Sequence, residues 1–282
     1  MIDKAFLEIT NVCNLQCSFC HGTSRAGRAL TEAEFEQLTE RLRGEVKFLY
    51  FHLLGEPLLH PLLPRFIQTA WKKGFYPILT TNGSLLRERG EELLATLPYK
   101  ISISLHAPAA NAAFADPTYF EHCIDFAKRA AASGCITVLR LWNLGGEGEE
   151  ENNGILQKLH KAFPGEWPPS HRDSVRLARE RVFLEWGEHF DWPDPAAKEA
   201  DADTPIFCHA LRDQCGVLCD GTVVPCCLDA DGNLPLGNLF DTPLQEILQA
   251  PRARAIYDGF TVHTATESLC RRCGYARKFK RK

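Results

Sequence analysis

No apolar run in this sequence reaches the roughly 20 residues that a membrane-spanning helix needs. The opening residues Met1, Ile2, Asp3 and Lys4 do not start a basic segment followed by a long apolar one, so no secretory signal is expected. The chain therefore reads as soluble and cytoplasmic. It also lacks a charge excess: 32 basic against 36 acidic side chains give a formal net charge of −4. That balance exerts no overall pull toward nucleic acid or an anionic membrane, and neither partner is expected. Internal repeats and low-complexity tracts are absent as well. The acidic loop 147–151 and the basic end 277–282 read as solvated surface.

Cysteine, by contrast, is plentiful, with twelve in 282 residues. In a reducing cytosol these do not build a disulfide framework, so metal or cluster ligation is the better account. Cys13, Cys17 and Cys20 share one loop directly after the first apolar run, and seven of the twelve fall after residue 200. Thiolates are the usual protein ligands of iron–sulfur clusters; four close a four-iron cluster, so three leave one iron open to a cofactor or substrate. A zinc knuckle or three core cysteines would use the same residues. Zinc, however, favours four ligands at paired spacing, and no Cys or His pair follows nearby, although His21 adjoins.

The length suits one larger domain plus a smaller module. Short runs rich in β-branched or aromatic residues at 5–10, 47–53, 75–80, 100–106, 135–142 and 181–186 alternate with helical stretches at 31–43, 62–73, 85–96, 117–133 and 153–163. This is the pattern of a parallel sheet covered by helices. Thr31 and Glu34 form a capping-box pair, and Gly74 and Gly134 stand where helices end. A Pro-rich, charged connector at 191–203 separates a first domain, 1–190, from a second, 204–282.

The spacing Cys-x3-Cys-x2-Cys, with Phe19 before the last cysteine, resembles the signature of the radical S-adenosylmethionine (radical SAM) enzymes. The resemblance implies a partial (β/α)6 barrel, with reacting groups gathered where strands end, and an open iron chelated by the SAM amino and carboxylate groups. It places Phe19 near the adenine. Leu54-Gly55-Glu56-Pro57 resembles the family's Gly-Gly-Glu-Pro motif, with Leu54 where the first glycine is usual; Gly55 and Glu56 would hold the methionine ammonium. Ser104 would lie at the SAM carboxylate or ribose, with Asn82 close by, unless Asn82 only makes an Asn-Gly turn with Gly83. His106 is either a substrate-facing acid or base or a neutral, hydrogen-bonded barrel residue. Arg140, in an apolar run, requires a carboxylate partner, from SAM or from the protein.

In the second group, Asp220-Gly221 reads as the turn of a hairpin spanning 217–224, which delivers Cys226. Cys208-x12-Gly221-x4-Cys226, then Gly237-Asn238-Leu239 and Cys270-x2-Cys273, resemble the shortened SPASM module called twitch, a small α+β domain. The resemblance implies one auxiliary 4Fe-4S cluster on Cys208, Cys226, Cys270 and Cys273; a four-cysteine zinc ribbon is the competing account. Cys215 and Cys219 read as packing residues on one strand face, Cys227 as pointing away from Cys226, and Cys123 and Cys135 as core.

The activity implied is reductive cleavage of SAM to a 5′-deoxyadenosyl radical, hydrogen abstraction from a substrate carbon, and transfer of an electron to the auxiliary cluster. A flavodoxin- or ferredoxin-type protein is the expected electron donor. Oxidation of a small alcohol is favoured, because Cys13 stands so near the start that no leader-binding domain precedes it. The alternatives are a maturase of ribosomally made peptides and, from another class, a non-catalytic iron–sulfur carrier. The stretch 188–192 and the loop after Trp142 are expected to line the substrate pocket.

Overall fold

The computed structural model describes residues 2–171, 173–200 and 204–279. Strands β1 (Lys4–Leu7), β2 (Phe48–Tyr50), β3 (Tyr76–Thr81), β4 (Lys100–Ser104) and β5 (Ile136–Leu144) pair in parallel in that order. Beyond β5 comes β7 (Val182–Glu188), also parallel. An antiparallel strand, β6 (Ser174–Ala178), closes that edge. Helices α1 (Glu32–Leu42), α2 (Leu63–Lys72), α3 (Leu86–Leu94), α4 (Tyr119–Ala132) and α5 (Asn152–Ala162) fill the crossovers. Six parallel strands and five helices make the partial α/β barrel.

Alternation explains the layers. Ala5, Leu7, Leu49, Ile101, Ile103, Leu139, Leu141 and Leu184 are fully buried in the main apolar core that includes the helices. Their neighbours in sequence, among them Phe6, Tyr50, Ser104, Arg140 and Glu185, lie on the opposite face, toward the barrel interior. Thr31 caps α1 as its pattern requires, its hydroxyl accepting from the Glu34 amide at 3.2 Å while Glu34 accepts from the Thr31 amide at 2.8 Å. Gly74 and Gly134 follow α2 and α4 at positive φ.

The C-terminal residues form β8 (Gln214–Val217), β9 (Thr222–Val224), β10 (Gly237–Asn238), α6 (Leu244–Gln249), α7 (Pro251–Thr261) and α8 (Ser268–Arg272). They do not form a separate sheet. β8 pairs in parallel with β1, from Lys4 opposite Gln214 to Leu7 opposite Val217, so the sheet runs β10-β9-β8-β1-β2-β3-β4-β5-β7-β6. The hairpin turns at Gly221, whose φ of +84° and 2.4 Å approach to the Phe240 ring, measured from where a Cβ would stand, leave no place for a side chain.

The connector is anchored. The Ala200 amide donates to the Arg271 carbonyl at 3.1 Å, Arg272 Nε to the Ala197 carbonyl at 2.7 Å, and Arg271 pairs with Glu199 at 2.7 Å. Residues 201–203 of the expected linker and 280–282 of the expected basic tail lie outside the described residues.

Two expectations about cysteines need correction. β8 ends at Val217, so Cys219 is not on a strand face with Cys215; its thiol donates to the buried Glu8 carboxylate at 3.0 Å. β9 ends at Val224, and the chain turns through Cys226 and Cys227, so strand parity no longer separates them. Both thiols line the same cavity.

Candidate active site

The loops after β1 to β5 meet at one end of the barrel around a cavity of about 480 Å³. Cys13, Cys17 and Cys20 line it, together with Phe19, Gly55, Glu56, Asn82, Ser104, His106 and Arg140. Every first-site residue singled out in the sequence therefore faces one space. Cys13 and Cys20 are exposed and Cys17 half-buried, all as free thiols. Burial and the neighbouring Cys20 and Cys13 thiols push Cys17 up to about 11. Binding to metal removes that proton and draws the thiolate charge onto the metal.

Gly55 sets the approach of the second motif. Its φ is +78°, and a Cβ there would stand 2.3 Å from the Thr10 carbonyl oxygen, against the backbone that enters the three-thiol loop. The next amide, Glu56 N, donates to the Val12 carbonyl at 2.9 Å. Gly55→Ala is expected to destabilise the protein by about 2–3 kcal/mol through overpacking and backbone strain. A denaturant melt against wild type measures it.

Glu56 is the most informative polar group in the cavity. It is 1% exposed and accepts from the Asn82 amide at 2.7 Å, the Leu58 amide at 3.0 Å and the Thr81 hydroxyl at 2.7 Å. None of these donors is a cation, and burial raises the carboxyl to about 7 in spite of them. A buried carboxylate so placed is suited to an incoming ammonium. Asn82 makes a turn and also reaches the loop: its side-chain oxygen accepts from the Ser84 amide at 2.9 Å, and its side-chain nitrogen donates to Asn14 at 3.1 Å.

His106 Nδ1 lies 3.1 Å from the Arg140 carbonyl oxygen and 3.3 Å from the Trp142 amide, and its ring centre is 5.1 Å from that of Phe19. Burial is the main cause that lowers it to about 4, so it is neutral. Arg140 has a protein partner, Glu185, at 3.6 Å from Nε, and its guanidinium stacks 4.3 Å from the Trp142 ring. Burial still lowers its pKa from the ordinary value.

A second cavity of about 330 Å³ holds Cys208, Cys226, Cys270 and Cys273, with Cys227 as a fifth thiol. Burial pushes Cys208 up to about 11 and Cys227 to about 12. Among the described residues no three His, Cys, Asp or Glu side chains converge on a single metal ion. A four-iron cluster, whose thiolates attach to separate irons, does not require that convergence.

His52, Arg140, Trp142, Phe190, Cys227 and Leu228 line both cavities and form the wall between them. Phe190 comes from the stretch 188–192 expected at the substrate pocket; Trp142 lines both cavities from β5 itself, and no described residue of the loop after it lines either one. His52 belongs to no motif read in the sequence, and Cys227, expected to point away from Cys226, lines this wall as well. His52 Nδ1 is buried without a hydrogen-bond partner, and burial, with Arg140 adding to it, lowers the ring to about 3. Parity could have found it, because it stands two residues beyond Tyr50 on the inward-facing series of β2.

Thiols in a loop at the strand ends of a partial barrel, beside a buried carboxylate that awaits a cation, define a cluster-bearing barrel enzyme. Residues 7–159 match the radical SAM superfamily, and residues 208–274 match SPASM, an iron–sulfur cluster-binding domain. The chain belongs to the radical SAM superfamily and carries a C-terminal SPASM-type module. It is an enzyme whose cofactors are a SAM-binding 4Fe-4S cluster, SAM and auxiliary iron–sulfur. That membership sets aside the carrier reading.

Among curated proteins it is similar to the PqqA peptide cyclase of Streptomyces rochei, 27% identical over 281 residues, covering 90% of this chain and 77% of that protein. It is also similar to the tungsten-containing aldehyde ferredoxin oxidoreductase cofactor-modifying protein of Pyrococcus furiosus, 33% identical over 96 residues. That match covers 33% of this chain and spans only 27% of the relative's length. Among solved structures, BtrN in complex with AdoMet and 2-DOIA superposes with a TM-score of 0.61 at 18% identity, covering 97% of this chain and 93% of BtrN. At that identity the likeness concerns the fold.

Proposed function

We propose that the chain is a radical SAM oxidoreductase that modifies a residue of a peptide held between two cluster sites. The observation that carries the peptide reading is the match to a peptide cyclase along 90% of this chain. It reverses the preference for a small alcohol drawn from the sequence. The small-molecule reading keeps one support, the fold shared with BtrN over 97% of this chain.

In this proposal Cys13, Cys17 and Cys20 hold the SAM-binding cluster, and Cys208, Cys226, Cys270 and Cys273 hold one auxiliary four-iron cluster. When bound, the first cluster and SAM supply a 5′-deoxyadenosyl radical that takes hydrogen from a substrate carbon, and the auxiliary cluster accepts the remaining electron. Glu56 receives the methionine ammonium and becomes fully ionised. Ser104 and Arg140 face the methionine carboxylate, Asn82 ties the cavity to the three-thiol loop, and Phe19 lies beside the adenine. Trp142, Phe190 and Trp192 exclude water from the reacting carbon. His106, neutral and hydrogen-bonded to backbone, keeps the wall in shape. A flavodoxin- or ferredoxin-type protein delivers the initiating electron.

Glu56→Gln keeps the shape and removes the charge. It is expected to weaken SAM binding roughly 10- to 100-fold, the range for losing one charge-assisted hydrogen bond. Equilibrium dialysis with labelled SAM measures it. The substrate class is tested by anaerobic incubation with SAM and reductant against a panel of short peptides and of small polyols. Deuterium transfer into deoxyadenosine from a labelled peptide supports the proposal; transfer only from a polyol restores the small-molecule reading.

A further inference from the structure

The stretch 21–28, between Cys20 and α1, is held from outside by the C-terminal module. Asp231 Oδ1 accepts from the Thr23 hydroxyl at 2.5 Å and from the Ser24 amide at 3.0 Å, while His21 Nε2 lies 3.5 Å from Oδ2. Arg25 Nε donates to the Ala230 carbonyl at 2.9 Å, and its terminal nitrogens grip Glu8 at 2.9 and 2.7 Å. Glu8 has no exposure and also accepts from the Cys219 amide at 3.1 Å. Arg28 Nε donates to the Cys219 carbonyl at 2.8 Å.

Both ends of this network matter. Thr23 and its neighbour Gly22 line the first cavity. Ala230 and Asp231 follow Cys226 through a turn closed by Asp229, which is 2% exposed and accepts from the Asn233 and Leu234 amides at 2.8 Å each. Most of the three-thiol loop is exposed or half-buried, with few apolar side chains to fix it. A loop of that kind has little stability of its own, so an outside anchor determines how far it is preorganised.

We propose that Asp231 and Arg25 are positioning residues, through which the module turn that begins at Cys226 fixes the three-thiol loop in the shape that admits SAM. This rests on the assignment of Cys13, Cys17 and Cys20 to the SAM-binding cluster. The two acceptor bonds to Asp231 Oδ1 hold the cavity wall at Thr23. Arg25 ties the same segment, through Glu8, to the end of β1 and to the turn after β8 at Cys219.

The test uses full-length protein reconstituted anaerobically with iron and sulfide, with SAM affinity read from the electron paramagnetic resonance (EPR) change of the reduced N-terminal cluster. Asp231→Ala is expected to bind SAM about tenfold more weakly while the auxiliary cluster signal persists, because the loop must be ordered at the moment of binding. Asp231→Asn keeps the Oδ1 acceptor and is expected to stay within about threefold of wild type. Asp241→Ala, an exposed acid of the same module, serves as the control and leaves the affinity unchanged. Affinity of Asp231→Ala within about twofold of wild type overturns the proposal. If that variant loses both clusters, Thr23→Val removes the same bond from the other end and decides by the same thresholds. A wild-type cluster that ignores SAM overturns the cluster assignment and the proposal with it.

Discussion

Replacing Cys13, Cys17 and Cys20 together with alanine removes all reductive cleavage of SAM and lowers the iron content by about four atoms per chain. The expectation follows from where these thiols stand. They line the cavity that also contains Glu56 and Ser104, and none of the other cysteines lines it except Cys227, on the far wall. No neighbouring thiol can replace them as a set. Cleavage is read as deoxyadenosine formed with dithionite, and iron by colorimetric assay. Because Cys123, Cys135 and Cys215 form part of the apolar core and are untouched, the fold is expected to survive, with the second cluster as internal evidence that it has.

Replacing Cys270 and Cys273 with alanine gives the opposite dissociation. Deoxyadenosine formation persists, but modification of the substrate stops, and about four further irons per chain are lost. Both residues line the second cavity and neither lines the first. The wall between the two cavities includes Arg140, Trp142 and Phe190, and in the proposed function a substrate bound there reaches both. On the proposed function, loss of the second cluster leaves hydrogen abstraction possible but removes the acceptor for the remaining electron. Mass spectrometry of the product beside quantified deoxyadenosine separates the two effects. Equal loss of both activities would mean that the C-terminal thiols support only folding.

Much of this arrangement is written in local sequence. Parallel strands buried on the helix side, such as Ile101 and Ile103 of β4, announce themselves as apolar positions in alternation with Ser102 and Ser104. The motifs of the first site lie just beyond such strands, so the barrel brings Cys13, Glu56, Asn82 and Ser104 together once the strands are correctly read. What was hidden depends on contacts distant in sequence or on where a strand stops. β8 joins β1 across roughly 210 residues, and no local pattern reports that pairing. β6 is a five-residue edge strand that ends in a turn with Arg181 at a φ of +62°, too short to stand out by periodicity. Strand parity does not govern Cys227, because the hairpin ends two residues before Cys226. Glu8 and Arg25, 17 residues apart, look like surface charges until the module covers them. A buried pair of this kind is strongly destabilising when one member is removed, which is why its appearance at a domain junction carries information about assembly.

The most direct measurement is the EPR spectrum of anaerobically reconstituted, reduced wild-type protein with and without SAM. Three thiolates that leave one iron open predict a cluster signal from the N-terminal site that shifts when SAM is added, and that is absent from the Cys13/Cys17/Cys20→Ala variant. Zinc bound at those thiols, or a spectrum identical with and without SAM, would contradict the account.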